Sequence, residues 1–186
     1  MPSQITLTHD HKKKLLKLSE ISLSLDTYDD IFSDFDPRPY SERALSDDFL
    51  IEAKKASKDQ ESGLELNLLI PTKNRKMYEE NIIKKRLWEH FRKHYHALYN
   101  EKKKLVLQGM SFVLVGVVLM FIAGGILFKH GQDNALFSLL IVLLEPAGWF
   151  LFWEGMHMMI FDSKAKNPDF EFYRKMSTCN IKFLPY

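Results

Sequence analysis

The chain has 186 residues, 46% of them hydrophobic, with 26 basic and 24 acidic side chains and a formal net charge of +2. Eight glycines, seven prolines and one cysteine exclude collagen-like and disulfide-rich classes. The averages hide a segregation that also argues against a wholly soluble protein. Residues 105–128 hold 18 hydrophobic residues out of 24 and no charge, and residues 135–161 hold 20 out of 27 with two charges.

Near the N-terminus, Ile5–Thr8 and Ile21–Leu25 alternate with period 2 and are rich in β-branched residues, which predicts two short strands. No apolar stretch of signal-peptide type precedes them, so no cleaved signal is expected. The run Asp26–Asp36 (DTYDDIFSDFD) places carboxylates at 26, 29, 30, 34 and 36. Hard cations favour such oxygens, but the glycine and terminal glutamate of an EF-hand loop are missing, so an acidic solvated loop is expected. Pro37-Arg38-Pro39-Tyr40 makes a stiff corner, with Arg38 set to pair with a neighbouring carboxylate. Ser46 as N-cap, an acidic first turn at Asp47 and Asp48, and an inward stripe of Phe49, Leu50 and Ala53 predict a helix over 46–57. Leu64–Ile70, bounded by Gly63 and Pro71, reads as a third strand.

No proline occurs between Pro71 and Pro146, so one helix is expected from about Lys73 to Phe128. Its polar part, 73–104, would rise ~48 Å at 1.5 Å per residue. Leu87, Phe91, His94, Leu98, Glu101 and Leu105 follow a heptad-like seam, continued at seven-residue intervals by Gly109, Gly116 and Ala123. Small residues at that spacing let helices pack closely within a membrane. The seam fits parallel association between copies or packing within one chain; the pattern alone leaves both open.

The spans Leu105–Phe128 and Ala135–Phe161 each suffice to cross ~30 Å of hydrocarbon. The six residues Lys129–Asn134 between them imply an antiparallel transmembrane hairpin. Lys102, Lys103 and Lys104 flank the first span, and Lys164 and Lys166 follow the second, against Lys129 alone at the tip. That bias predicts both termini in the cytoplasm, in keeping with the single Cys179. The alternation of Phe170 and Phe172, then of Ile181 and Phe183, suggests strands in the tail that return to the cytoplasmic sheet. The expected architecture is thus a small α+β cytoplasmic domain (1–71) and a basic stalk helix (72–104), leading to a two-helix transmembrane hairpin (105–128 and 135–161) and a cytoplasmic tail (162–186).

The strongest chemical signal lies in the second span. Glu145 sits near its middle, followed by Pro146, which removes the donor to the Val142 carbonyl. Glu154 and His157 share a face nearer the cytoplasmic end. An intramembrane carboxylate costs at least ~2.5 kcal/mol, so it faces protein or water. These four residues are candidates for a pore or gate. The competing reading is a buried carboxylate bonded to Gln108, Ser111 or a neighbouring subunit. Two helices do not enclose an aqueous path, so a pore requires a homo-oligomer.

Charge in the polar part separates by sign. Residues 20–65 carry 13 acidic and 5 basic side chains, and residues 72–104 carry 11 basic and 4 acidic. Lys12, Lys13, Lys14 and Lys17 form another basic cluster. The basic stalk suits anionic lipid or the acidic domain. A sharper reading is a groove for a single-stranded nucleic acid: Lys84, Lys85, Arg86, Arg92 and Lys93 for phosphates, with Trp88 among the interleaved aromatics for bases. His90 and His94 share a helix face, but His96 points elsewhere and HExxH is absent, so zinc is not expected. There is no P-loop, GxGxxG, GxSxG or paired cysteine, so neither a cofactor nor enzymatic activity is expected.

The run SLDTYDDIFSDFDPRPYSERALSDDFLIEAKK (24–55), with LELNLLIP, the helix KKRLWEHFRKHYH and a membrane hairpin after it, resembles the membrane effectors of Hailong-type bacterial anti-phage defence. The resemblance implies a tetrameric inner-membrane channel paired with a nucleotidyltransferase-like enzyme. The partner's single-stranded oligodeoxyadenylate product would keep the channel closed until infection removes it. The alternative class is a non-conducting membrane anchor that recruits a partner.

Overall fold

A computed structural model describes residues 21–58, 65–130 and 134–186. The expected strand at Ile5–Thr8 and the Lys12–Lys17 cluster lie outside them. The elements are β1 (Ile21–Ser24), α1 (Asp47–Ser57), β2 (Glu65–Ile70), α2 (Met77–His130), α3 (Ala135–His157), α4 (Asn167–Thr178) and β3 (Asn180–Pro185). One-turn 3-10 segments at Tyr28–Ile31 and Thr72–Asn74 follow β1 and β2, and a π-helical turn at Met158–Asp162 continues α3. The chain forms two compact units, one of residues up to Tyr95 with Glu171–Tyr186, the other of His96–Phe170.

In the first unit the strands form one sheet in the order β1-β2-β3, with both pairings parallel. A parallel sheet buries its central strand on both faces, which demands an almost unbroken apolar run. β2 meets that demand: Leu66, Leu68, Leu69 and Ile70 are fully buried, and Asn67 is the polar exception. α1 starts where its acidic first turn suggested. Ser46 takes the extended N-cap conformation, though its side chain makes no capping bond, and Phe49 and Ala53 are buried. Along the start of α2, Ile83, Leu87 and Phe91 enter the same core at helical spacing, beside Phe172 and Met176 of α4 and Ile181 and Phe183 of β3.

Two expectations change. The long helix begins at Met77 instead of Lys73, because a 3-10 turn occupies Thr72–Asn74. Phe170 and Phe172 belong to a helix, whereas Ile181 and Phe183 form the expected strand. Their alternation is misleading because the buried pair is Phe172 and Met176, four residues apart and one helical turn in register. Pro168 stands in the first turn of α4, where its missing N–H costs nothing.

Polar anchoring of the core centres on Glu80, whose side chain is 4% exposed. Arg75 donates to it from Nε and Nη2 at 2.8 and 2.9 Å, and the Tyr28 hydroxyl donates at 3.1 Å while accepting from the Lys76 N–H at 2.8 Å. Hydrogen bonds from Arg75 hold the Glu80 carboxyl below its ordinary value of 4.5, against the opposing effect of burial. Truncation to Glu80→Ala strands Arg75 and Tyr28 and is expected to cost ~3 kcal/mol. A carboxyl depressed by folding stabilises above its unfolded pKa, and that contribution is lost as pH falls through the lower folded value. The stability gap between wild type and Glu80→Gln, measured by thermal unfolding of the full chain, should therefore shrink below about pH 4.5.

Candidate functional site

The basic segment of α2 divides by helical face. Turned away from the buried Ile83, Leu87 and Phe91 are Lys85, Trp88 and Arg92 at i, i+3 and i+7, all exposed, with exposed Lys93 beside them. The Arg92 guanidinium lies 4.9 Å from the Trp88 ring centroid, and Lys85 is within 3.9 Å of Glu89. The other two candidates serve the domain. Arg86 donates from Nε to the Arg43 carbonyl at 3.0 Å and from Nη2 to that of Glu42 at 3.3 Å. Lys84 Nζ lies 5.7 Å from the Phe183 ring centroid. The fold thus gathers Lys85, Trp88, Arg92 and Lys93 and commits Arg86 to loop carbonyls.

The histidines of this helix join an aromatic stack. His90 and His94 have ring centroids 4.3 Å apart, and His94 stacks on Tyr173 at 5.1 Å. Burial pushes the His90 imidazole down to about 4, with smaller effects from His94, Arg86 and Lys93. Among the described residues, no group of three or more His, Cys, Asp or Glu is arranged to hold a metal ion.

Carboxylates of the 26–36 loop are tied into local structure. Asp30 accepts from the backbone N–H groups of Asp26 and Thr27 at 2.7 and 3.1 Å. Asp36 accepts from Arg38 Nη2 and from the Ala44 N–H, both at 2.7 Å. Arg38 accordingly holds the Asp36 carboxyl far below the usual carboxylate range. Asp29 takes Arg43 at 2.6 Å and the Tyr40 hydroxyl at 3.2 Å.

A polar cleft of about 280 Å³ went unread in the sequence. It includes Asp29 and Tyr40 on one wall and Lys73, Asn74, Lys76 and Glu79 on the other. Burial, reinforced by Asp29, raises the Tyr40 hydroxyl to about 12, so it remains a donor. The segments that follow β1 and β2 are brought together here because the strands are parallel, and the carboxyl edge of such a sheet is the usual place for a ligand. Pairing direction was the missing signal.

In the second unit, two helices are long and apolar enough to cross a membrane. Only 11% and 6% of their most apolar windows are buried, unlike core helices of a soluble protein. Glycines bring their backbones together. A Cβ added to Gly109 would lie 2.7 Å from the Gly155 carbonyl oxygen, and one added to Gly116 would lie 2.6 Å from that of Gly148. As 109 rises to 116 the partner falls from 155 to 148, so the helices run antiparallel. Ala123, 4% exposed, extends this line. The seam is therefore occupied within one chain.

The candidate gate residues fall on different surfaces. Glu145 is exposed and borders a cleft of about 180 Å³ with Met120, Ala123, Gly124 and Trp149. Neither proposed polar neighbour reaches it: the Ser111 hydroxyl donates to the Gln108 carbonyl at 2.7 Å, more than three turns from Ala123 on α2. Pro146 follows Glu145 inside α3. Glu154 is half-buried, whereas His157 is exposed and lies 3.7 Å from Asp162. No protein-family model matches this chain, and no curated protein or solved structure is significantly similar to it.

The glycine contacts make a contrast that sequence position does not. Gly116→Ala forces backbone against backbone and is expected to destabilise the helix pair by about 1–3 kcal/mol. Gly124→Ala and Gly125→Ala meet open space and should be neutral or slightly stabilising. Thermal denaturation of the detergent-solubilised chain distinguishes the two sets.

Proposed function

We propose that this chain is an oligomeric membrane channel whose conductance is controlled by a ligand on its cytoplasmic domain. The observation that carries this reading is Glu145, an exposed carboxylate midway along an exposed apolar helix. Facing lipid it would cost at least ~2.5 kcal/mol, so another copy or a water-filled path must cover it. Glu145 stands one turn from Gly148 at the edge of the glycine seam, in an open cleft with Met120, Ala123 and Gly124, and the open side of that cleft is left for neighbours around an axis.

Strand pairing supports the topology. β2 and β3 are hydrogen-bonded neighbours on either side of the apolar helices, so the chain crosses any bilayer an even number of times between them. Two crossings, with the lysine bias, support a cytoplasmic sheet. The resemblance to Hailong-type effectors supplies the finer reading: a tetramer in the bacterial inner membrane, held closed by a single-stranded oligodeoxyadenylate from a nucleotidyltransferase-like partner. Lys85, Arg92 and Lys93 contact its phosphates and Trp88 stacks a base.

Flux measurements in liposomes test the channel. Glu145→Gln is expected to assemble and conduct less than wild type, and Glu145→Ala should alter ion preference as well. A wild-type protein that carries no current with or without oligodeoxyadenylate would mark a non-conducting anchor instead.

Ligand binding has its own test. Lys85→Glu with Arg92→Glu should lower affinity for a short oligodeoxyadenylate at least ten-fold and reduce the slope of log K against log salt by ~1.4. Lys73→Glu with Lys76→Glu, in the carboxyl-edge cleft, serves as comparison; a greater loss there moves the ligand to that cleft.

A further inference from the structure

On α2 the charged helix gives way to the apolar one between Lys104 and Leu105. A cleft of about 410 Å³ opens at this level, lined by Lys102, Lys103, Val106, Leu107, Met110 and Phe170. Its chemistry is graded along the helix. Lys102 and Lys103 stand at one end, and Leu107 and Met110, both exposed, stand one to two turns further along. From Lys103 to Met110 the rise is ~10 Å, about the depth from a lipid phosphate into the upper acyl chains.

Lys102 is held in place: its Nζ donates to Asn167 Oδ1 at 2.6 Å and lies 5.1 Å from the Phe170 ring centroid. Lys103 is exposed and forms no ion pair among the described residues. The acid nearest in sequence, Glu101, is engaged by Lys166 and does not neutralise it. Two cations above an apolar wall match an amphiphile with an anionic head. A free anion would leave the wall unused, and a zwitterionic lipid would bring no net charge to the lysines.

From this arrangement we infer that the cleft is a binding site for one anionic phospholipid, with its phosphate between Lys102 and Lys103 and one acyl chain along Val106, Leu107, Met110 and Phe170. The inference rests on membrane insertion of the helices but not on conduction. A site at this position fastens α2 at the membrane surface and makes the protein sensitive to lipid composition.

Native mass spectrometry of the full chain released from detergent tests it, with phosphatidylglycerol, phosphatidylcholine and glycerol 3-phosphate as separate probes. Phosphatidylglycerol should bind at least five-fold more tightly than phosphatidylcholine, and glycerol 3-phosphate should not compete at equal concentration. Lys103→Gln should lower phosphatidylglycerol affinity about five-fold, and the Lys102→Gln, Lys103→Gln pair about 25-fold. Lys104→Gln removes the same charge outside the cleft and should change it less than two-fold. Lys102 also holds Asn167, so the single Lys103 variant decides the matter if the double variant misfolds. Equal losses from Lys103→Gln and Lys104→Gln would overturn the site in favour of diffuse surface attraction. Equal binding of the two lipids, or effective competition by glycerol 3-phosphate, would overturn it too. Flotation with phosphatidylcholine vesicles reports insertion separately, so its failure would count against the membrane reading and not against the cleft's preference for anionic lipid.

Discussion

Parallel pairing of β2 with β3 is the constraint on which the remaining structure depends. A parallel pair needs a crossover that returns the chain to the end from which it left. In this protein the crossover holds every residue from Pro71 to Cys179, including both apolar helices. The two long apolar helices are thus an insertion within one sheet motif, and the sheet is complete only when the chain has come back. Leu66, Leu68 and Ile70 meet Ile181 and Phe183 across that long connection, and the buried face is finished by residues from both of its ends.

Small residues organise the apolar pair. In hydrocarbon there is no hydrophobic drive to bring helices together, so close backbone contact must supply the attraction. Gly109, Gly116, Gly148 and Gly155 provide it, each placed where a Cβ would strike the opposite backbone. Gly124 and Gly125 face open space and take no part. Glu145, one turn from Gly148, borders the cleft where this seam opens beside Met120, Ala123 and Gly124.

Charge follows a comparable division. Asp29, Asp30 and Asp36 of the 26–36 loop are spent on backbone N–H groups, Arg38, Arg43 and Tyr40, so that they build the loop's own scaffold. Cations of α2 are less fully spent. Arg86 is bound to carbonyls, whereas Lys85, Arg92 and Lys93 remain on the surface, Lys85 beside Glu89 and Arg92 over the Trp88 ring. The Phe170–Phe172 alternation shows how a short pattern misleads: two residues fit period 2, and only Met176 reveals the helix.

By itself the sequence determined the elements whose signals are local or long. The apolar spans, the stalk helix, the acid-capped α1, and strands β1, β2 and β3 were all legible, because hydrophobic periodicity and length report directly on burial and on bilayer thickness. Tertiary structure decided what depends on distant partners. Strand direction created the Asp29–Lys73 cleft, the register of two helices selected four glycines out of six, and core packing withdrew Leu87, Phe91 and Arg86 from the surface. Each of these outcomes turns on which residue lies across the gap, and a one-dimensional pattern carries no coordinate for that.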